Sequence, residues 1–236
     1  MDQHILKSFP TGYRVLILGA SGGIGAAFAE QLSAQPACGA VHVLHRHSEP
    51  ALDFADEASI AAAAASMRAH GPFHLIINAA GLLHSTDFMP EKKLSDLHYA
   101  QLMATFQVNT FGPALVLRHF SGLLDTQRAV LVMLSAKVGS IEDNRLGGWY
   151  SYRASKAALN MLIKTAAIEL KRSQPATVLL AMHPGTVTTR LSQPFRGGSA
   201  ARPARQAVQE MLAVIDQKMP ADSGSFVTYS NENLPW

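Results

Sequence analysis

Arg14-Val15-Leu16-Ile17-Leu18 runs straight into Gly19-Ala20-Ser21-Gly22-Gly23-Ile24-Gly25, and the reading of this stretch decides the fold. The unbroken apolar run reads as a strand buried on both faces, because a half-exposed strand would alternate apolar with polar residues. Helical spacing begins at Ile24 and continues to Gln35, where Pro36 follows. The glycines between strand and helix leave backbone N–H groups at a helix N-terminus with no side chain in the way. A pyrophosphate needs that arrangement. A tight turn without ligand can use the same glycines, but their place between the first strand and the first helix favours a nucleotide.

Outward from this unit the same alternation repeats. Strands are expected at Val41–Leu44, His74–Asn78, Ala129–Leu134, Thr177–Met182 and Ser225–Thr228. Helices are expected at Asp56–His70, about Ser95–Phe120 with Pro113 as a bend or break, Tyr152–Ser173 and Ala204–Lys218. Apolar strands alternating with helices predict an α/β chain with a doubly wound parallel sheet and helices on both faces, a single-domain Rossmann fold. No linker or repeat divides residues 1–236, so one domain is expected. Ligands of such sheets bind at the carboxyl ends of the strands, where strand order reverses. Only about seven residues separate Leu44 from Leu52, against the dozen or so that a helical crossover needs. The helix usual after the second strand is therefore expected to be missing, and the next strand short, oddly connected or absent.

Composition narrows the function. Of 236 residues, 48% are hydrophobic and 16% charged, which excludes a disordered chain. The net charge of +3 comes from scattered Lys and Arg, which argues against a nucleic-acid partner. Cys38 is the single cysteine, so no disulfide within the chain is possible and a reducing compartment is expected. Neither a secretory signal nor a membrane-length apolar run is visible, and the chain reads as cytoplasmic with no membrane partner. His42, His45 and His47 have no carboxylate or cysteine nearby to complete a metal site, so no metal is expected.

The second strand ends at Leu44-His45-Arg46. An acidic residue there would hold the adenosine ribose hydroxyls of NAD(H), whereas Arg46 would attract a ribose 2′-phosphate. NADP(H) is preferred on this reading and NAD(H) remains possible. Asp53 falls where an adenine amino group could be met, and a turn-forming aspartate fits equally. Asn78-Ala79-Ala80-Gly81 ends the strand beside the glycine turn with small residues that admit a cofactor. Tyr152 and Lys156 lie four apart at the start of the strongest helix and share one face. A free tyrosine has a pKa near ~10, and an adjacent ammonium is expected to lower it into use as an acid or base. Ser135 ends the strand before that helix.

Gly19-x-x-x-Gly23-Ile24-Gly25, Asn78-Ala79-Ala80-Gly81, Asn109, Ser135, Tyr152-x-x-x-Lys156 and Pro184-Gly185-x-Val187-x-Thr189 occur in the order found in the short-chain dehydrogenase/reductase family, which the chain resembles from about Arg14 to its C-terminus. Gly139-Ser140-Ile141-Glu142-Asp143-Asn144, Tyr150–Asn160 and Leu234-Pro235-Trp236 are similar to its C-factor-like subgroup. The resemblance implies hydride transfer between NADP(H) and a small carbonyl or alcohol. Tyr152 would be the acid/base and Lys156 would bind the nicotinamide ribose. Ser135 would bond the substrate oxygen, and Asn109 would hold a water in a proton relay. Gly19, Ser21, Gly22, Gly23, Ile24 and Gly25, with Asn78, Ala79, Ala80 and Gly81, would line the cofactor. Pro184, Gly185, Val187 and Thr189 would line its nicotinamide side. The family implies a homodimer or homotetramer built on the helices at about Ser95–Phe120 and Tyr152–Ser173. The substrate pocket is expected from Leu82–Glu91, Ile141–Trp149 and Leu191–Gly198, with Phe88, Met89, Trp149 and Phe195 making it apolar. Two other readings stand beside this one: an NAD(P)-binding signalling or sensor protein of the C-factor type with little turnover, and a pteridine-type reductase. The departures are Leu18 where the family usually has Thr, the long interval from Ser135 to Tyr152, and the short region after Leu44.

Overall fold

A computed structural model describes residues 5–195 and 201–236. Among them six strands form one parallel sheet in the order β2-β1-β3-β4-β5-β6. The strands are β1 (Tyr13–Leu18), β2 (Cys38–Leu44), β3 (Leu75–Asn78), β4 (Ala129–Leu134), β5 (Thr177–His183) and β6 (Ser225–Thr228). The helices are α1 (Gly23–Ser33), α2 (Glu57–Met67), α3 (Tyr99–Phe106), α4 (Gly112–Phe120), α5 (Tyr150–Ser173) and α6 (Ala204–Gln217). Successive side chains of each strand enter opposite cores. Val15, Ile17, Leu75, Ile77, Val130, Val132, Leu180 and Met182 pack with Phe28 and Leu32 of α1 and Met211 and Leu212 of α6. Leu16, Leu18, Ile76, Leu131, Met133, Leu179 and Ala181 pack with residues of α2, α4 and α5. This double covering makes the inner strands largely apolar, and the doubly wound expectation holds.

The short stretch after β2 works out as one crossover. No strand lies between Leu44 and α2. The chain turns back on His45, whose carbonyl accepts from the N–H groups of Ser48 and Leu52, both at 3.0 Å. Leu52 and Phe54 then bury in the core as coil, and α2 carries the chain to β3 on the far side of β1. β2 is therefore an edge strand, and its Val43 is exposed. The order reverses between β1 and β3, so the crevice for a ligand opens there, beside the glycine turn.

Two helix expectations are corrected. The single helix expected at about Ser95–Phe120 is broken into a 3-10 turn (Leu94–Asp96), α3, a π turn (Gln107–Phe111) and α4. Pro113 has no N–H to give to the Asn109 carbonyl four residues back, and the wide turn falls on those residues. α5 starts at Tyr150, earlier than expected. Gly147, Gly148 and Trp149 take φ of 62°, 64° and 52°, a left-handed turn that reverses the chain just before the helix. The smaller correction is at β2, which begins three residues before Val41.

Candidate active site

β1 delivers the chain to Gly19, whose φ is +81°. A Cβ there would stand 2.8 Å from the backbone nitrogen of Ala80, so the glycine turn and the end of β3 touch only because no side chain intervenes. At Gly25 a Cβ would stand 2.5 Å from the Gly19 carbonyl oxygen. α1 then opens at Gly22 with no side-chain cap and no acidic residue in its first turn, and Ser21, Gly22 and Gly23 are exposed. An uncapped, uncrowded helix N-terminus with bare N–H groups suits an anionic phosphate. Thr189 closes the turn from the other side, its methyl group 3.1 Å from where a Gly23 Cβ would lie. Arg46 is exposed and, among the described residues, has no hydrogen bond or ion pair. Asp53 is committed locally: its Oδ1 accepts from the Ala55 N–H at 2.9 Å, the turn-forming alternative. Asn78 serves its own strand end, accepting from the Ala80 N–H at 3.1 Å.

Tyr152 and Lys156 face the carboxyl ends of β3 and β4 from α5. Both are buried, at 9% and 3% exposure. The Lys156 ammonium donates to the Leu134 carbonyl at 2.9 Å and lies 5.8 Å from the Tyr152 ring centroid. Gly139 lets the loop after β4 lie this close, since a Cβ there would meet Lys156 Cβ at 2.7 Å. Burial pushes the lysine down to about 8 and the phenol up to about 12. Burial thus outweighs the lowering expected from the ammonium, because a phenolate here would lose its water. At neutral pH the lysine is charged and the tyrosine holds its proton.

Asn109 sits on the π turn, fully buried. Its amide donates to the Leu82 carbonyl at 2.7 Å and to Ser155 Oγ at 3.1 Å, and its oxygen accepts from the Leu82 N–H at 2.8 Å. It thereby clamps the loop after β3 to α5. A Cβ on Gly81 would lie 3.7 Å from Asn109 Oδ1 and 3.8 Å from Lys156 Nζ, so these three residues meet at one point. Ser135, 4% exposed, donates its hydroxyl to Asn160 Oδ1 at 2.6 Å. Beyond β5, Gly185 has φ of +74° and Val187 is buried, with its carbonyl taken by Ser192 Oγ.

Glu91, Arg202 and Asn160, which were not among the expected site residues, organise this site together with Trp149 and Phe195 of the expected apolar pocket. Glu91 is 2% exposed, and its carboxylate receives both the N–H and the hydroxyl of Ser151 while its carbonyl receives the Trp149 N–H. It holds the left-handed turn and the start of α5. Trp149 meets Tyr152 edge-on at 6.3 Å and Phe195 at 5.1 Å, and Phe195 meets His84 at 5.6 Å, forming an aromatic wall beside the tyrosine. Arg202 is a strap: it pairs with Glu210, donates to the Pro184 carbonyl at 2.6 Å and stacks 3.3 Å from the Tyr229 ring centroid. Asn160, one turn after Lys156, is the partner of Ser135. Part of the third expected pocket segment, 196–200, lies outside the described residues. Among the described residues no group of three or more His, Cys, Asp or Glu converges as a metal site, and no helix is long and apolar enough to cross a membrane.

A six-stranded parallel sheet with a glycine turn at its reversal point, facing a buried tyrosine and lysine, defines a Rossmann-fold oxidoreductase. The family model for short chain dehydrogenase matches residues 13–199, and the chain belongs to that family. It is 36% identical over 167 residues to the C-signal of Myxococcus xanthus, covering 70% of this chain and 94% of that one. It is 30% identical over 188 residues to 1-hydroxy-2-glutathionyl-2-methyl-3-butene dehydrogenase of Rhodococcus sp. (strain AD45), covering 80% of each. The structure of NADPH-bound carbonyl reductase from chicken fatty liver superposes with a TM-score of 0.84 at 25% identity, over 97% of this chain and 96% of that one.

Proposed function

We propose that the chain is a carbonyl reductase that uses NADP(H) to convert a small apolar aldehyde or ketone to its alcohol, with Tyr152 as the proton donor. The observation that carries this reading is the burial of Tyr152 and Lys156 together on one face of α5, opposite an uncapped glycine turn. The likeness to the NADPH-bound reductase supports the cofactor. The glycine turn would hold the pyrophosphate, Arg46 the 2′-phosphate, and Asn78–Gly81 with Pro184–Thr189 the remainder. Asp53, already engaged in its turn, has one carboxylate oxygen left for an adenine amino group. When bound, NADP(H) supplies the hydride that reaches the carbonyl carbon.

The chain's residues supply the rest. Tyr152 gives its proton to the carbonyl oxygen as that oxygen gains negative charge, and Ser135 steadies the same oxygen. Lys156 keeps a positive charge behind the phenol, which lowers the cost of the phenolate left after transfer. Asn109 fixes the loop at Leu82 against α5, so that the pocket floor and the acid move as one. The wall of Trp149, Phe195 and His84 favours a flat, apolar substrate. Exposed Tyr99, Phe111, Met161 and Ile168 on α3, the π turn and α5 support self-association through these helices, as a dimer or tetramer.

The test is NADPH consumption across a panel of aromatic and aliphatic aldehydes and ketones, run with the native chain and Tyr152→Phe. Turnover should fall about 100-fold or more in the variant while NADPH binding is kept. Cofactor binding without turnover of any substrate by the native chain would instead identify a sensor. Failure to bind NADPH would end the reading altogether.

A further inference from the structure

We propose that Asn160 is a positioning residue for this reaction, whose amide must turn its Nδ2 to Ser135 for a carbonyl to be reduced. The inference rests on the reductase reading above. Ser135 gives its hydroxyl hydrogen to Asn160 Oδ1 at 2.6 Å. Both side chains are buried, and among the described residues Asn160 Nδ2 has no hydrogen-bond partner.

A serine hydroxyl has one hydrogen. Spent on Asn160, it leaves Ser135 only lone pairs to offer, which suits a substrate O–H but not a carbonyl oxygen. A half-turn of the Asn160 amide exchanges its oxygen and nitrogen at the same contact. Nδ2 then donates to Ser135 Oγ, and the serine hydrogen is free to point at the carbonyl oxygen. That rotation also gives the buried donor a partner and leaves an acceptor unpaired instead, the better tolerated of the two inside a protein. Asn160 lies one turn beyond Lys156 and two beyond Tyr152 on α5, so a single helix face carries the acid, the cation and the residue that directs the serine. The two amide orientations match the two forms of the substrate: Oδ1 toward Ser135 for the alcohol, Nδ2 for the carbonyl.

The experiment compares Asn160→Asp, which can only accept, with Asn160→Ala, which does neither, in the native and Ser135→Ala backgrounds. It reads kcat and KM for a carbonyl turned over in the panel, with NADPH affinity from fluorescence titration. N160D should lower kcat about tenfold or more with NADPH affinity unchanged, because it holds the serine hydrogen away from the substrate. N160A releases that hydrogen and should stay well above N160D. With Ser135 replaced, the two variants should be equal. N160D as active as the native chain, N160A below N160D, or a difference that persists without Ser135 overturns the proposal. Should N160D fail to fold, N160A against S135A decides: a kcat for N160A above that of S135A supports the role, and one equal or lower overturns it. The reductase reading fails separately, through an active Tyr152→Phe.

Discussion

Replacing Lys156 by methionine tests the electrostatics of the site without relying on turnover. The side chain is 3% exposed and burial brings its pKa from 10.5 to about 8. In the unfolded chain the same lysine titrates at its ordinary value. Between the two values the unfolded state holds more protons than the folded one, so the stability of the native chain rises with pH. The lysine's contribution is complete above about 10.5 and is lost as pH falls through about 8. At pH 7 the buried ammonium costs about 3 kcal/mol, and at pH 9.5 about 1 kcal/mol. The native chain should therefore gain about 2 kcal/mol on Lys156→Met between those two pH values. The bond to the Leu134 carbonyl is lost equally at both, and Tyr152 and every other titrating group cancel in the comparison to the extent that the substitution leaves them unchanged. Urea unfolding followed by circular dichroism at pH 7 and 9.5 measures the difference directly. A stability difference between the two chains that stays constant with pH would refute the claim that this ammonium is desolvated.

Arg46→Ala should raise the KM for NADPH about tenfold while leaving that for NADH nearly unchanged, since it removes only the proposed partner of the 2′-phosphate; an unaltered ratio in steady-state kinetics would reject Arg46 as that partner. Trp149→Gly should keep the chain folded, because glycine accepts the left-handed φ of 52° and relief of about 1 kcal/mol of backbone strain offsets part of the lost packing. Its KM for an aromatic carbonyl should rise about tenfold with NADPH binding intact, and an unchanged KM would remove the aromatic wall from the substrate site. Glu91→Gln leaves one carbonyl oxygen for the two Ser151 donors, so unfolding free energy should fall by about 1–3 kcal/mol and kcat should drop as the start of α5 loosens. An unaffected denaturation midpoint would count against the buried carboxylate as the holder of that turn.

The glycine turn and the inner strands were legible because those strands are covered on both faces, so burial writes itself as a nearly uninterrupted apolar run, ended at Gly19, Ser135 and Pro184 for β1, β4 and β5. Tyr152 and Lys156 were legible because helical spacing alone puts them on one face. The shortness of the region after Leu44 was readable by counting, which left the next strand short, oddly connected or absent; the structure has none between Leu44 and α2. Glu91 and Asn160 were not legible, because their importance comes from approach across 60 and 25 residues of chain, and no local pattern marks a buried carboxylate that caps a distant helix. Gly147 and Gly148 announce a turn, but a tryptophan continuing it in the left-handed region is held by Glu91 and not by its own preference. Arg202 carries no sequence signal that would place it against the Pro184 carbonyl and the Tyr229 ring, contacts made across the fold.

The largest departure between spacing and structure concerns the phenol. Sequence names the neighbouring ammonium but says nothing of how much water either group loses, and here water loss dominates for both. One burial moves the two pKa values apart, to about 8 and about 12, with the result that both groups keep their protons at neutral pH. In that resting state the proposed acid already holds the proton that a carbonyl oxygen would take, whereas an alcohol would have to meet a phenol that has first ionised. The phenolate left by reduction is the same one from which oxidation would start, so burial sets which protonation state waits for substrate and not the direction of the overall reaction. That enclosure comes from the packing of Gly139 against Lys156 and of Trp149 against Tyr152.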